Sequence, residues 1–166
     1  MPPGHPWTDR LRADNLYAYE LLDREVTMWT YEHSIETDAT PEAIWSLWAD
    51  VENWGAWNAD VGHVRINGPF AAGTDFTMTP GGDEPVHLVI AEATPGEGFV
   101  DEARIDGLVL RTVHRVDPGE RLRAKVTYRM EITGPGADEI GPQIGPGITA
   151  DWPETMAALV ALALKQ

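Results

Sequence analysis

From Met28 the chain alternates. In MWTYEHSIET, Trp29, Tyr31, His33 and Ile35 fall on one face and Thr30, Glu32, Ser34 and Glu36 on the other, the period of a half-buried strand. The period lengthens at Thr40-Pro41-Glu42, where Thr40 can cap a helix and Pro41 suits its first turn. Ile44, Trp45, Leu47 and Trp48 give that helix an apolar face, and Asp50 to Trp57 predicts a second short helix, loosened by Gly55. Both are too short to be stable unless packing holds them.

Period-two runs then alternate with turn signals. Strands are expected at 61–66, 74–79, 86–93, 98–105, 108–116 and 121–133, with Asp106-Gly107 as a tight hairpin turn and Asp117-Pro118-Gly119-Glu120 as another. The last strand places Leu122, Ala124, Val126, Tyr128, Met130 and Ile132 inward, and Arg121, Arg123, Lys125, Arg129 and Glu131 outward. Short turns between neighbours predict an antiparallel sheet, without crossover helices. A Gly- and Pro-rich run, GPGADEIGPQIGPG, follows and is expected to form a flexible entrance loop. A terminal helix closes the chain, with Ile148, Trp152, Met156, Leu159 and Ala163 at helical spacing. Residues 1–26 predict a helical extension and residues 27–166 a single domain; Leu11, Ala18, Leu21 and Leu22 suit packing on the domain or on a second subunit.

This order of elements, with IETDATPEAIWSLWADVENWGAWN at its head, resembles the START-like, helix-grip (SRPBCC) superfamily in its polyketide cyclase/dehydrase branch. The residues that carry the resemblance are Pro41, Glu42, Trp45, Asp50, Trp54 and Trp57, and FVDEARIDGLVLRTVHRVDP is similar to a hairpin of that family. The resemblance covers residues 28–165. It implies an α+β fold: a strongly curved antiparallel sheet of six to seven strands wrapped around a long C-terminal helix, with a cavity between them. It also implies binding of lipids, hormones or aromatic polyketides, and in some members cyclisation or dehydration. Family cyclases often use an interior Arg, whereas the alternation here puts Arg104, Arg111, Arg115, Arg123 and Arg129 outside.

The hairpin sorts the faces independently. A two-residue turn at Asp106-Gly107 pairs Ile105 with Leu108, Glu102 with Arg111, Asp101 with Thr112 and Phe99 with His114. The opposite charges of Glu102 and Arg111 suit the outer face. The inner face then offers an apolar wall for a ligand: Trp29, Phe76, Met78, Leu88, Phe99, Leu110, Trp152 and Met156, with Trp57 at one end. Tyr31, His33 and Thr112 add polar groups to it, as a small-molecule site requires. A filled core whose polar groups satisfy one another reads similarly. His114, Asp101 and Tyr128 are the catalytic candidates: Asp101 accepting from His114 would fix its tautomer and free the other ring nitrogen for proton transfer. The same pair could be a purely structural hydrogen bond.

Composition narrows the classes. The chain has 166 residues, 27 acids against 12 bases, a net charge of −15 and no Cys. Such a surface repels nucleic acid and anionic membranes, so neither is expected as a partner. Absence of cysteine suits a cytoplasmic protein. With only Ser34 and Ser46, no GxSxG, an outward Lys125, a terminal Lys165 and no dinucleotide or phosphate loop, serine hydrolysis, Schiff-base chemistry and nucleotide binding find no residues. No cofactor or metal is expected. The expectation is a domain that binds a mainly apolar, aromatic or polycyclic molecule. It either catalyses cyclisation or dehydration by acid–base chemistry or acts as a non-catalytic small-molecule or lipid carrier, with a homodimer left open.

Overall fold

The computed structural model describes residues 28–80 and 84–166. The expected N-terminal extension, residues 1–26, lies outside the described residues. Seven strands form one antiparallel sheet: β1 (Met28–Thr37), β2 (Val61–Ile66), β3 (Asp75–Pro80), β4 (Val86–Thr94), β5 (Gly98–Ile105), β6 (Leu108–Pro118) and β7 (Ala124–Thr133). Their order is β1-β7-β6-β5-β4-β3-β2. Helix α1 (Pro41–Ala49) and a 3-10 turn (Val51–Ala56) follow β1. Thr40 caps α1 as its sequence suggests, its hydroxyl accepting from the Ala43 amide at 3.1 Å. Two helices, α2 (Ala137–Thr149) and α3 (Trp152–Ala163), end the chain and meet at Ala150–Asp151.

The β5–β6 register matches the hairpin expectation pair for pair: Ile105 faces Leu108, Asp101 faces Thr112 and Phe99 faces His114. Asp106 and Gly107 both have positive φ, 51° and 81°, as such a turn needs. On the outer face the Arg111 guanidinium bridges Glu102 at 2.8 Å and Glu92 at 2.6 Å.

The expectation of a strongly curved sheet wrapped around the helix is corrected. The sheet is open, with β1 and β2 as its two edges, and is not strongly curled. The ladders suggest why. The β1–β7, β5–β6 and β6–β7 pairings run without interruption, and among the described residues register shifts occur only at Val61/His63 and Ile90/Glu92. Regular ladders twist, but sharp bending needs bulges.

The GPQIGPG run is also corrected: it is the body of helix α2, not an entrance loop, with Pro142 and Pro146 inside it. Two of its glycines explain the placement. A Cβ on Gly141 would lie 2.2 Å from the Trp29 Cβ, and one on Gly145 2.3 Å from the Trp29 ring. The helix therefore lies flat on the indole, a close approach that only glycine permits. At the start of β7, Leu122 is an exposed turn residue rather than an inward strand residue, since the strand begins at Ala124.

Candidate functional site

Between the sheet, the 3-10 turn and the helices lies a cavity of about 810 Å³, within the range that holds a drug-sized ligand. β3 and β4 supply Phe76, Met78 and Leu88; β5 to β7 supply Asp101, Leu110, Thr112, His114, Tyr128 and Met130. The opposite wall is Ile144, Ile148 and Trp152 from α2 and α3, and Trp54 and Trp57 close one end. Most of this wall follows from alternation: residues paired across an antiparallel ladder share a face.

The polar floor is built by two rows across the sheet. Asp101, Thr112 and Met130 form one; Phe99, His114 and Tyr128 form the other. The Asp101 carboxyl is buried, and desolvation pushes its pKa up to about 7, with Thr112 hydrogen bonding working against the shift and Glu102 with it. His114 lies face to face with Phe99, ring centroids 4.0 Å apart, and edge-on to Tyr128 at 4.5 Å. Burial lowers its pKa to about 3, so the imidazole is neutral at pH 7. His114 Nδ1 stands 3.9 Å from Asp101 Oδ2, too far for a hydrogen bond, and is buried without a partner. The expected histidine–carboxylate hydrogen bond is thus not formed, and Asp101 is the group that titrates near neutrality. Tyr128 accepts from Trp48 Nε1 at 3.0 Å, which leaves its own O–H to donate, and burial raises its pKa. Trp48 in turn accepts, through its backbone carbonyl, from Trp54 Nε1 at 2.9 Å.

Of the expected residues, the cavity gathers Asp101, His114, Tyr128, Trp57, Phe76, Met78, Leu88, Leu110, Thr112 and Trp152. Five lie elsewhere. Trp29 packs under α2, Tyr31 stacks against Trp29 at 6.4 Å on the edge strand, and His33 lies beside Tyr128 on β1. Phe99 backs His114, and Met156 is core. The alternation missed a second polar group at the rim. Asp60, before β2, and Asp151, between α2 and α3, both line the cavity. Asp151 also accepts from Thr155 Oγ1 at 3.1 Å, and partial burial first, then Asp60, holds its pKa above the ordinary value. Both aspartates sit where a periodicity ends, so no repeat marks them. The sequence signal is that each follows or precedes a cavity tryptophan, in WNAD and DWP.

A sequence model of known proteins, described as polyketide cyclase / dehydrase and lipid transport, matches residues 28–165. The chain belongs to that family. Its fold is that of the helix-grip superfamily, with aromatase/cyclase-type proteins among its structural neighbours. No protein of curated function matches significantly in sequence. Among solved structures, the di-domain ARO/CYC protein StfQ from the steffimycin biosynthetic pathway superposes with a TM-score of 0.69 at 14% identity, covering 99% of this chain and 62% of StfQ. This member of the polyketide cyclase/dehydrase and lipid transport family thus spans less than two thirds of that di-domain chain. A point mutant of norcoclaurine synthase from Thalictrum flavum, in complex with a transition-state analogue, gives 0.66 at 15% identity, covering 85% of this chain and 97% of the enzyme. Ara h 8.0201 gives 0.67 at 11% identity, covering 84% and 99%. At these identities the likeness is one of fold. Among the described residues no helix is long and apolar enough to cross a membrane.

Proposed function

We propose that this protein binds a mainly apolar, aromatic or polycyclic carbonyl compound in the cavity and dehydrates or cyclises it by proton transfer at Asp101. The observation that carries the reading is a buried carboxyl, with a pKa near neutrality, opening onto a cavity walled by Trp54, Trp57, Phe76 and Trp152. A general base is most effective when its pKa lies near the working pH. In the dehydration, the Asp101 carboxylate takes the proton α to the carbonyl, and the Tyr128 O–H hydrogen-bonds the developing enolate oxygen. The β-hydroxyl then leaves with the proton held by Asp101, releasing water and restoring the carboxylate. Neutral His114 offers a polar contact to the same substrate.

The family description joins catalysis to lipid transport, so a carrier would keep this cavity and lack the chemistry. The test starts with mass spectrometry of small molecules released on denaturing the purified protein, with Trp152→Ala alongside. A discrete aromatic compound, depleted in the variant, is expected. Incubation of that compound or its hydrated precursor with wild type and Asp101→Asn separates the two readings. Dehydration predicts a loss of about 10²–10⁴-fold in turnover with binding retained; binding without turnover in the wild type would establish the carrier.

A further inference from the structure

Tyr128 lines the cavity, but Trp48, the residue bonded to it, does not. Trp48 stands on α1 and is fully buried, its indole packed on Phe99, His114 and Tyr128 with ring centroids 5.7, 6.1 and 6.3 Å away. That packing asks only for an aromatic ring. The hydrogen bond asks for more. An indole nitrogen carries a proton and no acceptor, so the 3.0 Å contact of Trp48 Nε1 with the Tyr128 oxygen has one direction: the indole donates and the phenol accepts. No side-chain flip or choice of tautomer reverses it. The phenol proton is therefore turned away from Trp48. Among the described residues Tyr128 makes no other hydrogen bond. Its side chain is buried, and the open space beside it is the cavity. Buried donors seldom go without an acceptor, so this one calls for an acceptor on a guest.

The indole is itself held in place. Trp48 lies in the last turn of α1, where backbone carbonyls lack partners within the helix. Its carbonyl accepts from Trp54 Nε1 at 2.9 Å, a buried bond that ties the 3-10 turn to the end of α1. Trp54 is fixed in turn by edge-on packing on Phe76 at 5.6 Å. Both indole protons are thus given in one sense along the path Trp54, Trp48, Tyr128, which ends at the cavity. On its other sides the phenol ring is walled by His114 at 4.5 Å and Trp152 at 5.6 Å, both near perpendicular to it. The ring position follows from this packing; the direction of its proton follows from Trp48.

We infer that Trp48 is a positioning residue: by occupying the Tyr128 oxygen it turns the phenol proton into the cavity, so that this end of the site selects a hydrogen-bond acceptor such as a carbonyl oxygen over an apolar group of the same shape. This rests on the cavity reading above and adds to it a residue that touches no substrate.

The test uses two neutral probes of one shape, 2-acetylnaphthalene and 2-isopropenylnaphthalene, which differ in a carbonyl oxygen against a methylene group. Isothermal titration calorimetry gives the ketone-over-alkene affinity ratio for wild type, Trp48→Phe, Tyr128→Phe and the double variant. Tyr128→Phe is expected to lower that ratio by about two- to ten-fold. Trp48→Phe keeps an aromatic ring and removes the donor. It is expected to lower the ratio by about two-fold or more, and to lower it no further in the Tyr128→Phe background, because its effect passes through the phenol. Loosening by the smaller ring acts on both probes and cancels in the ratio. A ratio unchanged in either single variant, or an equal further loss in the double variant, would overturn the inference and leave the cavity reading standing. Wild type alone supplies a second readout that needs no folded variant. The Trp48 Nε1–H proton resonance is expected to move downfield on binding the ketone and not on binding the alkene, since a phenol that donates becomes a better acceptor. The same response to both probes would overturn the inference. No saturable binding of either probe would overturn the cavity reading, and this inference with it.

Discussion

At the scale of single residues, Asp101 and His114 shift in opposite senses for the same reason: burial disfavours the charged form of each. Stability linkage follows with opposite signs. Asp101 is raised from 3.8 to about 7, so its contribution is present below pH 4 and is lost as pH rises toward 7. His114 is lowered from 6.5 to about 3, so its contribution is present above pH 6.5 and is lost as pH falls toward 3. Between about pH 4 and 6.5 the folded pair holds one proton, on Asp101, and the unfolded pair also holds one, on histidine. The two slopes, each integrating to an order of 4 kcal/mol, therefore cancel over that interval. Urea denaturation across this range should show little pH dependence from the pair in wild type. Asp101→Asn should become more stable as pH rises from 4 to 6.5, and His114→Phe less stable. Slopes of the same sign in both variants would contradict the assignment of these shifts.

At the scale of elements, helix α2 shows how glycine can specify a contact. Its three glycines, Gly141, Gly145 and Gly147, differ in what surrounds them. A Cβ on Gly141 or Gly145 strikes Trp29, whereas one on Gly147 meets nothing within 4 Å. Alanine raises helix propensity at all three by about 1 kcal/mol, but overpacking costs about 1–3 kcal/mol where the indole must move. Thermal unfolding should therefore show Gly141→Ala and Gly145→Ala destabilised and Gly147→Ala stabilised by up to about 1 kcal/mol. Adding Trp29→Ala should abolish the penalty at Gly145, because the clash needs the ring. A uniform response at the three glycines would show that the helix does not lie on Trp29.

At the scale of the whole molecule, the open sheet distributes its order unevenly. β6 is bonded along both sides, through uninterrupted ladders to β5 and β7, while β2 is a six-residue edge strand whose one ladder shifts register at Val61/His63. Edge backbone with few partners opens at lower free energy than the centre of a sheet. Amide hydrogen exchange should be slowest in β6 and β7 and fastest among the strands in β2. Because Val61, Asp60 and Trp57 line the cavity beside that strand, a bound aromatic ligand should slow exchange in 57–66 more than in β6. Equal protection of β2 and β6 without ligand would speak against an open edge at the cavity rim.

Much of this architecture was legible along the chain because local chemistry repeats. Alternation at Trp29–Glu36 and Ala124–Ile132, the cap at Thr40 and the Asp106-Gly107 turn each act within a few residues, and together they determine the seven strands, the β5–β6 register and the burial of Asp101, Thr112 and His114. What no local pattern contains is the approach of distant segments. The sheet stays open because its longest ladders lack bulges, which depends on how strands pair and not on what each one is. The Gly-Pro run becomes a helix because Trp29, more than a hundred residues earlier, presents a flat surface to Gly141 and Gly145. Asp60 and Asp151 come to line one cavity only in the finished fold, and the 3.9 Å between His114 and Asp101 is set by side-chain packing against Phe99 and Tyr128. The sequence by itself determined which residues share a face; the tertiary structure decided which of them touch, because contact distances depend on the packing of segments far apart in the chain.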